Sequence, residues 1–224
     1  MQRSPTLAVR VQGPLACFTR PELKVERVSY PVITPSAARG VLEAVLWKPA
    51  ISWRIRRIRV LAPIRFTAFR RNEVNSRAVP PSVAVVRKGG AVKHYFAEED
   101  RSQRNTVALR DVDYVIEADF SMTPKAGPED NLNKFVEMFN RRVEKGQCFH
   151  HPYLGCREFA ARFEPPAEAP PPVAETRDLG LMLWDLEYGE KKKVPRFFAA
   201  RLLDGVLEVP EDPLSALVEE GGTA

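Results

Sequence analysis

The sequence predicts an α+β protein. Two segments carry the three-to-four-residue apolar period of an amphipathic helix, and they sit among shorter runs in which apolar residues alternate with a period of two. A proline-rich stretch, residues 164–177, separates these elements from a further set of strand-like runs. At 224 residues with 44% hydrophobic content, the chain is long enough to bury a core without staples.

Thr6 to Val11 alternates, with Leu7, Val9 and Val11 on one face, and reads as a strand broken at Gly13-Pro14. Residues 20–29 are charged and irregular, with Arg20, Lys24 and Arg27 close together. Thr34-Pro35 is a helix start: the threonine can cap, and proline suits a first position that needs no N–H. Ala38, Val41, Leu42, Val45 and Leu46 form the apolar stripe, and Lys48-Pro49 ends the helix. Ile51 to Ile64 is a long strand. Its apolar phase changes at Arg56-Arg57, which predicts a β-bulge or sharp bend.

Residues 70–105 turn polar and contain Pro80-Pro81 and Gly89-Gly90, as a long loop or exposed hairpin would. Tyr114 to Phe120 is a strand. Asp130 to Lys145 is a second helix, with Leu132, Phe135, Val136, Phe139 and Val143 on one stripe and Gly146 as its stop. Phe149 to Phe163 reads as a broken strand region. Beyond the proline-rich stretch, Leu179–Tyr188, Arg196–Leu203 and Val206–Val209 are strands, and a short helix follows Pro213.

Strand, helix, strand, strand, helix, strand is the ferredoxin-like order, an antiparallel sheet with helices on one face. We therefore expect a ferredoxin-like unit with a long hairpin insertion over 1–163, a linker over 164–177 and a small antiparallel β part over 178–224. The free face of such a sheet is a common RNA platform.

The charge pattern agrees with a nucleic-acid partner. The net charge of +5 says little, but Arg54, Arg56, Arg57, Arg59, Arg65, Arg70 and Arg71 cluster around Trp53, Phe66 and Phe69. Arginine forks fit phosphate, and aromatic rings stack on unpaired bases. Nonspecific binding, double-stranded DNA included, is the weaker reading of the same stretch. A ribonuclease working without metal needs a base for the 2′-hydroxyl, an acid for the leaving oxygen and a cation for the phosphorane. The histidines are His94, beside Tyr95, and the pair His150-His151.

Cys148, His150, His151 and Cys156 match no common zinc spacing, and no Walker A, G-x-G-x-x-G or G-x-S-x-G pattern occurs. No cofactor and no metal are expected. Three cysteines make no even disulfide framework, no apolar run spans a membrane, and the first residues lack a signal peptide's apolar stretch. These features predict a cytoplasmic protein with no membrane partner.

Several segments together resemble a known family. They are Ala16-Cys17-Phe18-Thr19-Arg20-Pro21-Glu22, Lys24-Val25-Glu26-Arg27-Val28-Ser29-Tyr30, Thr34-Pro35-Ser36-Ala37-Ala38-Arg39-Gly40-Val41-Leu42-Glu43-Ala44, Trp47-Lys48-Pro49, Arg70-Arg71-Asn72-Glu73-Val74, Asp113-Tyr114-Val115-Ile116-Glu117-Ala118, Leu154-Gly155-Cys156-Arg157-Glu158-Phe159 and Arg177-Asp178-Leu179-Gly180. In this order they resemble the type I-C CRISPR-associated proteins of the fifth Cas family, the Dvulg subtype of the RAMP superfamily.

The resemblance implies a metal-independent endoribonuclease. Such a protein cuts precursor CRISPR RNA at the base of the repeat hairpin and stays on the 5′ handle within the surveillance complex. Its partners would be repeat RNA and the other subunits. Within the resembling segments, Arg20, Lys24, Arg27, Tyr30, Arg39, Trp47, Lys48, Arg70 and Arg71 are the expected RNA contacts. The family places a Tyr or His just before Trp-Lys-Pro and a Lys-His pair early in the second helix. Here Leu46 holds the first position, Lys134 matches the lysine, and Phe135 replaces the histidine. His94, Tyr95, Tyr30 and His150-His151 are replacement acid–base groups on chemistry alone. A handle-binding subunit without catalysis is the alternative function.

Overall fold

A computed structural model describes residues 2–23, 25–89, 94–188 and 193–213. One nine-stranded sheet runs through it, in the order β6-β1-β5-β3-β9-β8-β7, with short β2 and long β4 also paired to β5. The strands are β1 (Leu7–Ala16), β2 (Arg27–Val28), β3 (Ile51–Val60), β4 (Phe66–Val74), β5 (Arg101–Met122), β6 (Arg162–Glu164), β7 (Arg177–Tyr188), β8 (Lys193–Leu203) and β9 (Val206–Glu208). All pairs are antiparallel except β2 with β5.

β5 organises the sheet. Its far end pairs β1 on one side and β3 on the other, with Val9 opposite Ile116 and Trp53 opposite Phe120. Its near end leaves the core to form a hairpin with β4. The sequence suggested only Tyr114–Phe120 here. Residues 101–105 face solvent at least partly on both sides and lack the apolar alternation that marks a half-buried strand. β1 likewise continues through Gly13-Pro14. The ladder passes from Gly13–Val112 to Leu15–Arg110, and Pro14 takes no part in it.

The bulge expected in β3 lies between Ile55 and Arg57. It returns Ile58 and Val60 to the face that already carries Ile51, Trp53 and Ile55, so all five are buried. β3 ends at Val60 rather than Ile64.

Helix α1 (Pro35–Val45) is capped by the Thr34 hydroxyl, which accepts from the Ala37 N–H at 3.2 Å. A short α2 (Val83–Arg87) stands in the hairpin insertion and buries none of its residues. Helix α3 (Leu132–Glu144) is capped by Asn131, which accepts from the Lys134 N–H at 2.9 Å. α3 presses Phe135 and Phe139 onto the sheet face bearing Trp53 and Phe120. The Trp53 ring lies 5.1 Å from Phe120 and 5.0 Å from Phe139, and α1 packs beside α3. At their ends, the Arg142 Nη1 donates to the Val45 carbonyl at 2.6 Å.

After the proline-rich segment, β7, β8 and β9 continue the same sheet, since β9 pairs with β3 through Ile58–Leu207. The residues between Phe149 and Phe163 are mostly irregular, with a single bridge, Tyr153–Ala160. The helix expected after Pro213 lies outside the described residues. No described helix is long and apolar enough to cross a membrane.

Candidate nucleic-acid interface

The segment after α1 and the start of α3 bring together two of the expected cations. The Asn131 cap fixes the first turn of α3 and places Lys134 on its exposed side. Lys134 Nζ pairs with Asp130 at 2.9 Å, and the same carboxylate accepts from the Gly127 N–H at 2.9 Å. The Lys134 hydrogen bond, then the Gly127 N–H, hold the Asp130 carboxyl below its ordinary range, and nearby Lys48 adds to this. Lys134 pairs with Asp130, and Lys48 is near enough to act on the same carboxylate.

The neighbouring positions are core. Leu46 is fully buried, and Phe135 is 2% exposed with its ring 6.4 Å from Phe120. A histidine side chain at 135 would have to enter that aromatic cluster.

Beside this site is a cavity of about 670 Å3, lined in part by Arg39, Trp47, Lys48, Arg54 and Lys125. Trp47 is 49% exposed within it. Arg39 is not free: it pairs with Glu43 at 2.8 Å and Asp185 at 2.7 Å, tying α1 to β7.

The other expected contacts lie elsewhere. Arg27 and Arg71 share Glu73 and Glu158. Arg20 lies over the buried Tyr30 ring, 4.6 Å from its centroid, and burial pushes the Tyr30 hydroxyl up. Arg70 points outward on β4 and makes no ion pair among the described residues. Lys24 lies outside the described residues.

His94 stacks on Phe96 at 6.2 Å. The Tyr95 hydroxyl donates to Asp100 at 2.8 Å; local burial raises it, and the Asp100 contact acts the same way. That favours the protonated phenol. Among the described residues, no hydrogen bond, ion pair or ring contact joins His94 or Tyr95 to Lys134.

The arginine stretch is largely matched by acids that sequence reasoning missed. Arg54 and Arg56 pair with buried Asp119, while Arg57 and Arg59 pair with Glu117. The signal was present: Glu117 and Asp119 alternate with the apolar residues of β5. Using it required knowing that β3 lies next to β5.

Residues 6–210 match the family model for the CRISPR-associated protein (Cas_Cas5), in its Cas5d form. The chain belongs to this family. Two relatives carry the name CRISPR pre-crRNA endoribonuclease Cas5d. The one from Mannheimia succiniciproducens is 49% identical over 213 residues, covering 91% of this chain and 94% of the relative. The one from Thermus thermophilus is 44% identical over 235 residues, covering 96% of each. Two solved structures share the fold of this Cas5-family chain at 20% identity: a functionally uncharacterized protein from Streptococcus mutans (TM-score 0.67, 94% of each chain) and a CRISPR-associated protein (TM-score 0.69, 96% of each).

Proposed function

We propose that the chain is an endoribonuclease that cuts CRISPR precursor RNA at the repeat hairpin, then stays on the 5′ handle as a surveillance-complex subunit. The observation that carries this reading is the near full-length identity, 44–49%, to relatives named as pre-crRNA endoribonucleases. The strand order β6-β1-β5-β3, with α1 linking β1 to β3 and α3 linking β5 to β6, supports a ferredoxin-like unit. On this reading residues 1–163 bind the RNA, 164–177 form the link and 178–224 are the small antiparallel β part.

In the reaction, the 2′-oxygen attacks the adjoining phosphorus and the bond to the 5′-oxygen breaks. A 2′,3′-cyclic phosphate and a 5′-hydroxyl result, and no metal is required. Lys134 stabilises the charge that gathers on the phosphorane oxygens. Asp130 holds the lysine in place, and Lys48 adds a second cation. The acid–base work falls to groups other than residue 135. His94 and Tyr95 serve if the hairpin insertion folds over the bound RNA.

The non-catalytic alternative rests on a specific observation, the burial of both Leu46 and Phe135. Repeat RNA incubated in EDTA separates the two. Processing predicts a single cut that a 2′-deoxy substitution at the scissile nucleotide abolishes. Tight binding of uncut RNA is the result expected of a handle-binding subunit. Double-stranded DNA as a further partner has less support, because acids on β5 offset the β3 arginines.

A further inference from the structure

Trp47 also lines a second open cavity, about 690 Å3 in volume, between α1 and the loop that follows α3. The loop is pinned there by its backbone. The N–H groups of Phe149 and His150 both donate to the Ala44 carbonyl, at 2.9 and 3.0 Å. Three large aromatic side chains line the space without being covered: Trp47 is 49% exposed, Phe149 52% and Tyr153 42%. The Phe149 and His150 rings lie 4.2 Å apart.

The charges around the cavity favour an anion. Arg157 lines it and makes no ion pair among the described residues. Glu158, next in the chain, is held by Arg27 and Arg71. The acid in the cavity wall, Glu43, is engaged by Arg39 at 2.8 Å, which it shares with Asp185. Half-exposed rings beside an uncompensated guanidinium are what an unpaired nucleotide requires, a stacking surface for its base and a cation for its phosphate. Trp47 also walls the cavity that contains Lys48. A strand stacked on this indole is thereby led towards Lys48.

We propose that this cavity is a subsite for one unpaired nucleotide of the repeat RNA. Its base stacks between Trp47 and the Phe149–His150 pair, and Arg157 takes the adjoining phosphate. The assignment deepens the RNA-processing reading and rests on it.

The test is an abasic walk. Repeat RNAs, each lacking one base outside the paired stem, are titrated against the wild-type protein, Phe149→Ala and Arg157→Ala. One position should weaken wild-type binding by about 5- to 150-fold, the range of a single base–aromatic stack. At that position alone, Phe149→Ala should add little to the loss, because the contact is already gone. Arg157→Ala should weaken every RNA alike and lower the salt slope by about one. If the wild-type protein binds and cuts the repeat but the losses multiply at every position, the subsite is wrong and the processing reading stands. If it binds the repeat no better than an unrelated hairpin, both fall.

Discussion

Gly155 shows how much can hang on one residue. Its φ is +84°, and a Cβ placed there would lie 2.1 Å from the Cys17 carbonyl oxygen. Both the backbone conformation and the space exclude a side chain. Gly155→Ala should cost at least about 2 kcal/mol, lowering Tm by about 4–8 °C for a chain of this size; thermal unfolding checks this. The sequence marked Phe149 to Phe163 as a broken strand region, but the constraint at Gly155 comes from a partner far away in the chain.

The same approach brings Cys156 to Cys17, where its Sγ contacts the Cys17 carbonyl at 3.7 Å and Arg27 Nη1 at 3.3 Å. The neighbouring Cys156 thiol, then Thr19, Arg27 and Arg71, lower the Cys17 thiol against the opposing effect of burial, while Cys17 and burial push Cys156 up. Because the folded Cys17 value lies below its ordinary value of 9.0, its contribution to stability is present above that value and is lost as pH falls through the lowered folded value. Absorbance of the thiolate should show a step below the ordinary thiol range that Cys17→Ala removes. Titration of every thiol in its ordinary range would refute the assignment.

Among the elements, α1 and α3 were the most legible, because a continuous apolar stripe and a polar cap specify them locally. Strand β5 was half legible. Its core half alternates, while the hairpin half is held by pairing to β4 and carries little apolar signal. The basic character of β3 was misleading for a related reason, since its neutralising acids sit on the neighbouring strand. This makes a contrast. Arg57→Gln and Arg59→Gln should leave the salt dependence of repeat-RNA binding unchanged. Arg70→Ala, on the outward face of β4, should reduce the slope of log K against log salt by about one. Filter binding across a salt series distinguishes them.

At the scale of the molecule, the sheet carries stability and the hairpin insertion carries little. Val83 and Val86 of α2 are 67% and 57% exposed, and α2 buries nothing. The insertion closes at its base through Asn75 and Asp100, with the Asn75 N–H donating to the Asp100 carbonyl at 2.9 Å. Replacing residues 77–98 with a short Gly-Ser turn should move Tm by no more than about 2–4 °C, the shift of ~1 kcal/mol at this length. A larger fall would mean that the insertion supports the core.

The joining of β9 to β3 was not legible. The proline-rich segment reads as a boundary, and cross-strand pairing between distant segments leaves no local mark. The candidate site was legible where resemblance supplied it, at Lys134 and Lys48. The cavity beside Trp47 was not, because its walls come from two segments that only the fold brings together. The most direct measurement is single-turnover cleavage of repeat RNA by the wild-type protein and Lys134→Ala, with RNA affinity measured in parallel. Removing a cation that acts on the phosphorane should slow cleavage by about 10²–10³-fold and change affinity far less. Cleavage by Lys134→Ala at the wild-type rate would contradict the account.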